Sequence, residues 1–252
     1  MFNHIFGYYS GMTVQQETIL ENLFEKGHSP IFSKERVLRV LEALHLTRFM
    51  DEKMSKLVRQ NKGGTFHVSV SGHELIGTVS ALSLTSGVDW GFPYYRDRAF
   101  AVGLGCSSTD ILAAFLARDT KNHSGGRMMP EHFSQVDLRI PCQSSCVGSQ
   151  FLQAAGTAKS AVLRKTNEVV YVSGGDGATS QGDFHETLNF ACLHNLPLII
   201  VIQDNGWAIS VPVSDQTAGG TIAKMARGYE GLAVFEIDGC DYPQTAEALE
   251  KA

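Results

Sequence analysis

The chain has 252 residues, enough for one large α/β domain or two small ones, and its formal net charge of −5 leaves no basic footprint for nucleic acid. No apolar run is long enough to span a bilayer, and the start, MFNHIFGYYSGM, lacks the features of a secretory signal. The five cysteines show no metal-binding spacing, which favours reduced thiols. We therefore expect a cytoplasmic protein that binds neither nucleic acid nor membrane.

The N-terminal part of the chain is predicted to be helical. Residues 13–27 and 33–61 have helical spacing, and Ser33 is a plausible N-cap for the second of these helices. We predict a helical arm over residues 1–62, followed by an α/β domain over residues 63–252. Such an arm commonly packs against a partner subunit, although an ordinary surface helix explains the pattern equally well.

A short strand with polar residues at its end is predicted next. A helix over residues 73–84 precedes a strand over residues 90–92. Tyr95 and Arg96 follow this strand, where a guanidinium and a phenol are well placed to meet a phosphate. The alternative is a surface cluster of charges over residues 96–98.

A further helix, an irregular segment and a helix rich in small residues continue the chain. Residues 107–118 are predicted to be helical, whereas glycines and a proline prevent regular structure over residues 119–141. The irregular segment contains His123 and His132, which we leave out of the site because loop histidines are usually solvated. The next helix is marked by its apolar and small residues, Val147, Phe151, Ala154, Ala155, Ala158 and Val162.

The central stretch predicts two parallel strands, each ending in a polar turn. Residues 168–173 form an apolar run of strand length that the turn GGDG ends. Residues 182–195 have helical spacing, and the apolar run over residues 196–202 ends in QDNG. Both turns therefore fall at the carboxyl ends of neighbouring parallel strands, where open α/β sheets bind ligands.

The chemistry of these two turns suits a metal ion and a phosphate group. Asp176 offers a carboxylate and Asn205 an amide oxygen, and both are hard donors of the kind that Mg²⁺ prefers. Gly175 and Gly177 allow backbone N–H groups to approach an anion. A structural turn with a solvated Asp176 is the alternative. After these turns we predict a helix over residues 221–228, a strand over residues 232–237 and a last helix.

GDG followed by an Asn-containing turn about thirty residues later resembles the thiamine diphosphate signature. The strings GDGATSQGDFHETLNFA and LPLIIVIQDNGWAIS resemble the α-subunit of the first component of 2-oxo acid dehydrogenase complexes. The resemblance implies a thiamine diphosphate-binding fold, which is a doubly wound, mostly parallel sheet with helices on both faces. It also implies that Mg²⁺ is held by Asp176, Asn205 and the main-chain carbonyl of Trp207. By the same resemblance, the cofactor diphosphate is held by Gly175, Asp176, Gly177, Ala178, Tyr95 and Arg96.

The segment QSSCVGSQ resembles the family segment that lines the cofactor's pyrimidine, here through Ser145 and Val147. In some members this segment also holds K⁺. That ion would be surrounded here by Ser144, the carbonyl of Cys146, Ser149 and Gln150. The alternative interpretation is that Ser144 and Ser145 simply cap the following helix.

Three positions depart from the family pattern. Asp204 adds a negative charge beside a predicted metal ligand. Gln203 stands where several relatives carry an arginine to the diphosphate, and Trp207 replaces the usual tyrosine.

The resemblance implies oxidative decarboxylation of a 2-oxo acid, with acyl transfer to the lipoyl arm of an acyltransferase core. A β-subunit in an α₂β₂ assembly would supply the glutamate that activates the cofactor. A histidine-bearing loop would lie beyond Ala252, so we expect a C-terminally truncated chain that is inactive alone. The catalytic residues of this chain therefore remain unassigned.

The segment QSSCVGSQ most resembles the branched-chain branch of the family, which implies 3-methyl-2-oxobutanoate (2-oxoisovalerate) as the substrate, with pyruvate or acetoin dehydrogenase as close alternatives. A transketolase-like enzyme outside any complex is another alternative, although it fits GDFHE and NGWAIS less well. A catalytically dead paralogue that only binds partners is a third.

Overall fold

The computed structural model describes residues 30–64, 66–119 and 127–252, so the helix expected over residues 13–27 lies outside the described residues. The second predicted helix is confirmed as α1, Lys34–Arg59. The Ser33 side chain accepts a hydrogen bond from the backbone N–H of Arg36 at 3.3 Å, which confirms it as the N-cap.

Three short helices and a strand follow α1. Helix α2 spans Glu74–Leu82, strand β1 spans Trp90–Phe92, helix α3 spans Arg98–Leu104 and helix α4 spans Ser108–Phe115. None of the helices in the described ranges is both long and apolar enough to cross a membrane.

The central stretch forms the predicted alternation of helices and strands. Helix α5 spans Ser149–Arg164 and strand β2 spans Val170–Gly175. A 3₁₀ turn, Asp176–Ser180, leads into α6, Gly182–His194, and then into β3, Leu198–Gln203. Both polar turns therefore follow strands, as the glycines and the apolar runs predict.

The C-terminal part consists of a small hairpin and three helices. Strands β4, Trp207–Ala208, and β5, Val211–Pro212, pair in an antiparallel arrangement. They are followed by α7, Val213–Gln216, α8, Ile222–Ala226, and α9, Tyr242–Lys251.

The strand predicted over residues 232–237 is wrong, because the structure gives this segment no strand pairing. Leu232 packs against the apolar core, whereas Phe235 is 44% exposed. The segment thus has one buried and one exposed side, as its sequence pattern suggests. A strand also needs a neighbouring strand to pair with, and a local pattern cannot show whether one is present.

Strands β1, β2 and β3 form a parallel sheet in that order, with β2 in the centre. One face carries Tyr171 of β2, whose ring stacks on Phe100 of α3 at 4.2 Å. The other face carries Val170 and Val172, which pack with Phe151 of α5 and with α6. Helices thus cover both faces, which confirms the predicted α/β class and leaves the carboxyl ends of the strands at a common edge.

The predicted boundary between an arm and a domain at residue 62 stays a prediction. Met50 and Met54 of α1 lie in the same buried cluster as Phe100 and Tyr171. The first helix therefore contributes directly to the core on one face of the sheet.

Candidate functional site

The carboxyl edge of the sheet gathers the residues that the sequence analysis selected. Gly175 at the end of β2 pairs with Gln203 at the end of β3, so the turns that follow these strands lie side by side. Asp176 begins the first turn and Asn205 lies in the second. The structure thus brings together two residues that are far apart in the sequence.

The carboxylate of Asp176 is buried and incompletely paired. Asp176 is 2% exposed, and its Oδ2 has no hydrogen-bond partner among the described residues. Burial raises the pKa of Asp176, the negative charge of Asp204 raises it further, and the backbone N–H of Asn205 lowers it. A cation at this carboxylate would offset both the burial and the repulsion, so the arrangement fits Mg²⁺.

The other two predicted metal ligands lie in the turn after β3. The Oδ1 atom of Asn205 accepts a hydrogen bond from the backbone N–H of Trp207 at 3.1 Å, and Trp207 itself is 57% exposed. The described residues contain no group of three His, Cys, Asp or Glu side chains that could hold a metal. One carboxylate, one amide oxygen and one carbonyl form a different kind of ligand set, suited to a hard cation that keeps water ligands.

The glycines of the first turn permit close approach of the backbone. A Cβ at Gly177 would lie 2.8 Å from the Cβ of Ala208, so the β4–β5 hairpin packs directly on this turn. A Cβ at Gly175 would meet the Tyr94 ring at 3.8 Å, an ordinary contact. Ala178 is 5% exposed and its methyl group belongs to the apolar core. Its backbone is therefore the part that can serve a ligand.

Tyr95 and Arg96 lie at the same edge, after β1. The Tyr95 ring makes an edge contact with Phe66 at 5.9 Å between centroids. Arg96 donates from Nη1 to the carbonyl of Ser69 at 2.6 Å. The charge of Arg96 also lowers the pKa of Asp176, so the guanidinium acts electrostatically on the candidate metal position.

Gln203 does not present a free amide at the edge of the sheet. It is 5% exposed, and its Oε1 lies 2.7 Å from Nδ1 of His73 and accepts from the Tyr94 hydroxyl at 3.1 Å. Its Nε2 donates to Oδ1 of Asp97 at 2.6 Å. All of these partners are within the protein, so the amide is not free to contact a diphosphate, although Gln203 stands at the position where the resemblance implies an arginine in several relatives.

Asp97 is the buried end of this network. Its Oδ2 accepts hydrogen bonds from the hydroxyls of Ser173 and Tyr171. Burial raises the pKa of Asp97 to about 6, although these hydroxyls and the Gln203 amide act in the opposite direction. A buried carboxyl group with a raised pKa thus lies next to Gln203 at the end of β3.

The predicted pyrimidine contacts, Ser145 and Val147, lie in the loop before α5. Val147 is 54% exposed. The Oγ of Ser145 lies 2.9 Å from Nε2 of His132. The N-cap position of α5 is Gly148, so the interpretation of Ser144 and Ser145 as helix caps is wrong.

Three of the four predicted K⁺ ligands lie together. The Ser149 hydroxyl donates to the carbonyl of Cys146 at 2.9 Å, and the Ser144 hydroxyl accepts from the Cys146 backbone N–H at 3.1 Å. Gln150 turns away and donates to the carbonyl of Ser173 in β2 at 3.0 Å. The K⁺ assignment stays a prediction.

Two histidines at this edge were not selected from the sequence. His132 is 4% exposed rather than solvated, and His73 is half-buried against Gln203. Their partners are 13 and 130 residues away in the chain. No local sequence pattern indicates such contacts. The segment around His132 has no helical or strand periodicity from which its burial could be predicted.

Comparisons with known proteins identify the family of this chain. A family model described as "Dehydrogenase E1 component" matches residues 42–252. The chain is similar to the 2-oxoisovalerate dehydrogenase subunit alpha of Bacillus subtilis (strain 168), with 36% identity over 207 residues, which are 82% of this chain and 62% of that protein. It is also similar to the pyruvate dehydrogenase E1 component subunit alpha of Staphylococcus epidermidis (strain ATCC 12228 / FDA PCI 1200), with 34% identity over 235 residues, 92% of this chain and 60% of that protein. The chain thus spans about three fifths of the length of these relatives.

Proposed function

The chain belongs to the dehydrogenase E1 component family, and from this premise we propose that it is the α-subunit part of a 2-oxo acid dehydrogenase. Enzymes of this family generally use thiamine diphosphate and Mg²⁺, and their α-subunits generally pair with a β-subunit. We place the cofactor at the carboxyl edge of the sheet. The observation that carries this proposal is the buried Oδ2 of Asp176, which has no hydrogen-bond partner among the described residues.

Each part of the proposed site has a defined set of residues. The Mg²⁺ ligands are Asp176, Asn205 and the carbonyl of Trp207. The diphosphate contacts are Tyr95, Arg96 and the turn over residues 175–178. Ser145 and Val147 contact the pyrimidine. The optional K⁺ site comprises Ser144, the Cys146 carbonyl, Ser149 and Gln150.

The residues of this chain bind and orient the cofactor. When bound, thiamine diphosphate supplies the electron sink for loss of CO₂ from a 2-oxo acid. The Asp176 carboxylate contributes a negative charge whose burial a cation relieves, and Arg96 contributes a positive charge toward the diphosphate. Neither Ser145 nor Val147 can supply the carboxyl group that activates the pyrimidine. That group would therefore come from the β-subunit, and the acyl group would pass to a lipoyl-bearing acyltransferase core.

A 2-oxo acid with a branched side chain is our preferred substrate, because QSSCVGSQ most resembles that branch of the family. Relatives with 36% and 34% identity are named for 2-oxoisovalerate and pyruvate respectively, so pyruvate is the competing substrate, with acetoin a further alternative. Comparing kcat/KM for 2-oxoisovalerate, pyruvate and acetoin in the assembly with the β-subunit distinguishes these three substrates. A higher value for pyruvate or acetoin would refute the branched-chain assignment.

The metal assignment is tested with two neighbouring carboxylates. Asp176→Asn should abolish or strongly weaken binding of thiamine diphosphate in the presence of Mg²⁺, because it removes a ligand charge. The matched variant Asp204→Asn removes an equal charge that opposes ionisation of Asp176, so it should leave binding unchanged or tighten it. Calorimetry on the assembly with the β-subunit measures both. Equal affinity of Asp176→Asn and wild type would refute the metal site.

A second test concerns the shared active site. We expect no decarboxylation by this chain alone, and activity once a β-subunit is supplied. Turnover by the purified chain at about 1 s⁻¹ or faster would refute the shared site. Tight cofactor binding without turnover in the full assembly would instead support the catalytically dead paralogue.

A further inference from the structure

We infer that His132 is a positioning residue whose ring accepts a hydrogen bond from the Ser145 hydroxyl. This leaves Ser145 Oγ to face the ligand as a hydrogen-bond acceptor. This inference rests on the proposed function, in which Ser145 faces the aminopyrimidine of the cofactor. It assigns a role to a histidine that the sequence analysis excluded. It also specifies the chemistry that Ser145 offers, namely a lone pair for an N–H donor.

The direction of the hydrogen bond follows from the second ring nitrogen. Nδ1 of His132 lies 3.2 Å from the carbonyl oxygen of Pro130, which can only accept a hydrogen bond. Nδ1 therefore carries the proton, and in the neutral ring Nε2 has a lone pair. This Nε2 atom lies 2.9 Å from Oγ of Ser145, so the hydroxyl donates and the nitrogen accepts.

The backbone on both sides of His132 is held in place. Glu131 is 2% exposed, adopts a left-handed conformation with φ of 65° and forms a buried ion pair with Arg98, which is fully buried. On the other side, the backbone N–H of Phe133 donates to Oε1 of Gln143 at 3.0 Å. These contacts fix the backbone that carries His132, and the ring itself is oriented by its contacts with Pro130 and Ser145, as a positioning role requires.

The pair lies beside the residues at the end of β1. The ring of Phe66 makes edge contacts with both His132 at 5.8 Å and Tyr95 at 5.9 Å. His132 is 4% exposed, whereas Ser145 is exposed. Ser145 thus lies on the exposed side of the contact, and the inferred hydrogen bond directs its hydroxyl proton toward the buried ring. The matching ligand group is an amino group on a flat ring, which stacks readily near aromatic side chains.

The tautomer can be measured directly, without any cofactor. In the chain labelled with ¹⁵N-histidine, long-range ¹H–¹⁵N spectra identify which nitrogen carries the proton, and His132→Phe assigns the signal. We expect protonated Nδ1 and unprotonated Nε2 at neutral pH, and a changed Nε2 shift in Ser145→Ala. Protonated Nε2, in a neutral or a charged ring, would overturn the inference.

A double-mutant cycle tests the consequence for binding. In the assembly with the β-subunit and Mg²⁺, His132→Phe and Ser145→Ala should each weaken thiamine diphosphate binding by up to about fivefold, the ordinary effect of one hydrogen bond. The double variant should bind the cofactor no more weakly than the single variant with the lower affinity, because both changes remove the same interaction. For an analogue without the pyrimidine amino group, all three variants should bind as the wild type does.

His185→Phe is the matched control, because it breaks a similar histidine–hydroxyl contact, with Tyr229 at 3.0 Å, between two residues that are not assigned to the site. It should leave the affinity unchanged. Unchanged affinity in both site variants, or effects that multiply in the double variant, would overturn the inference. If the wild-type assembly does not bind the cofactor, the proposed function fails, whereas the imidazole spectrum still decides the direction of the hydrogen bond.

Discussion

We expect Asp97 to make the stability of this protein depend on pH in the mildly acidic range, and Asp97→Asn should remove that dependence. Burial raises the pKa of Asp97 from 3.8 to about 6. Between these values the folded chain holds a proton that the unfolded chain has lost, so stability falls as the pH rises. The full shift corresponds to about 3 kcal/mol, of which about 2 kcal/mol falls between roughly pH 4.5 and pH 7.5.

The assay is urea unfolding of the wild type and of Asp97→Asn at several pH values, followed by tryptophan fluorescence. The quantity of interest is the difference in unfolding free energy between the two proteins, because the other titrating groups then cancel. As the pH rises over that range, we expect the wild type to lose about 2 kcal/mol of unfolding free energy relative to Asp97→Asn. Asp137→Asn, an equal change of charge at an exposed position, is the control.

A difference that does not change with pH would refute the reasoning. It would mean that the hydroxyls of Ser173 and Tyr171, together with the Gln203 amide, stabilise the charged carboxylate enough to cancel the cost of burial. A shift in favour of the wild type as the pH rises would mean that these donors outweigh burial altogether.

Two further predictions concern packing and buried charge. Gly177→Ala should lower the unfolding free energy by about 1–3 kcal/mol and also lower cofactor affinity, because the added Cβ would overlap Ala208. Gly182→Ala is the control, because a Cβ there meets nothing within 4 Å and should leave both quantities unchanged. Equal behaviour of the two variants in urea unfolding would contradict the packing argument. Arg98→Met should lower the unfolding free energy by about 3–5 kcal/mol, because it leaves the buried carboxylates of Asp51 and Glu131 without their cation. A loss below about 1 kcal/mol would show that those carboxylates are protonated instead.

Much of the fold was predictable because its signals are local. The apolar runs and the glycines that end them predicted β2 and β3, and helical spacing predicted α1 and α6. The motif spacing also predicted that the turns containing Asp176 and Asn205 meet, because parallel neighbouring strands end at one edge. Identification of the family required no tertiary information, since the matching strings are continuous in the sequence.

The tertiary structure alone decided how polar side chains are used at that edge. It buried Gln203 beside Asp97 and turned Gln150 toward β2, and it joined His132 to Ser145. It also left residues 232–237 without a strand partner. The physical reason is common to all four cases. Hydrophobic periodicity reports which face of an element is buried, whereas a hydrogen bond or a strand pair depends on which distant segment packs against it.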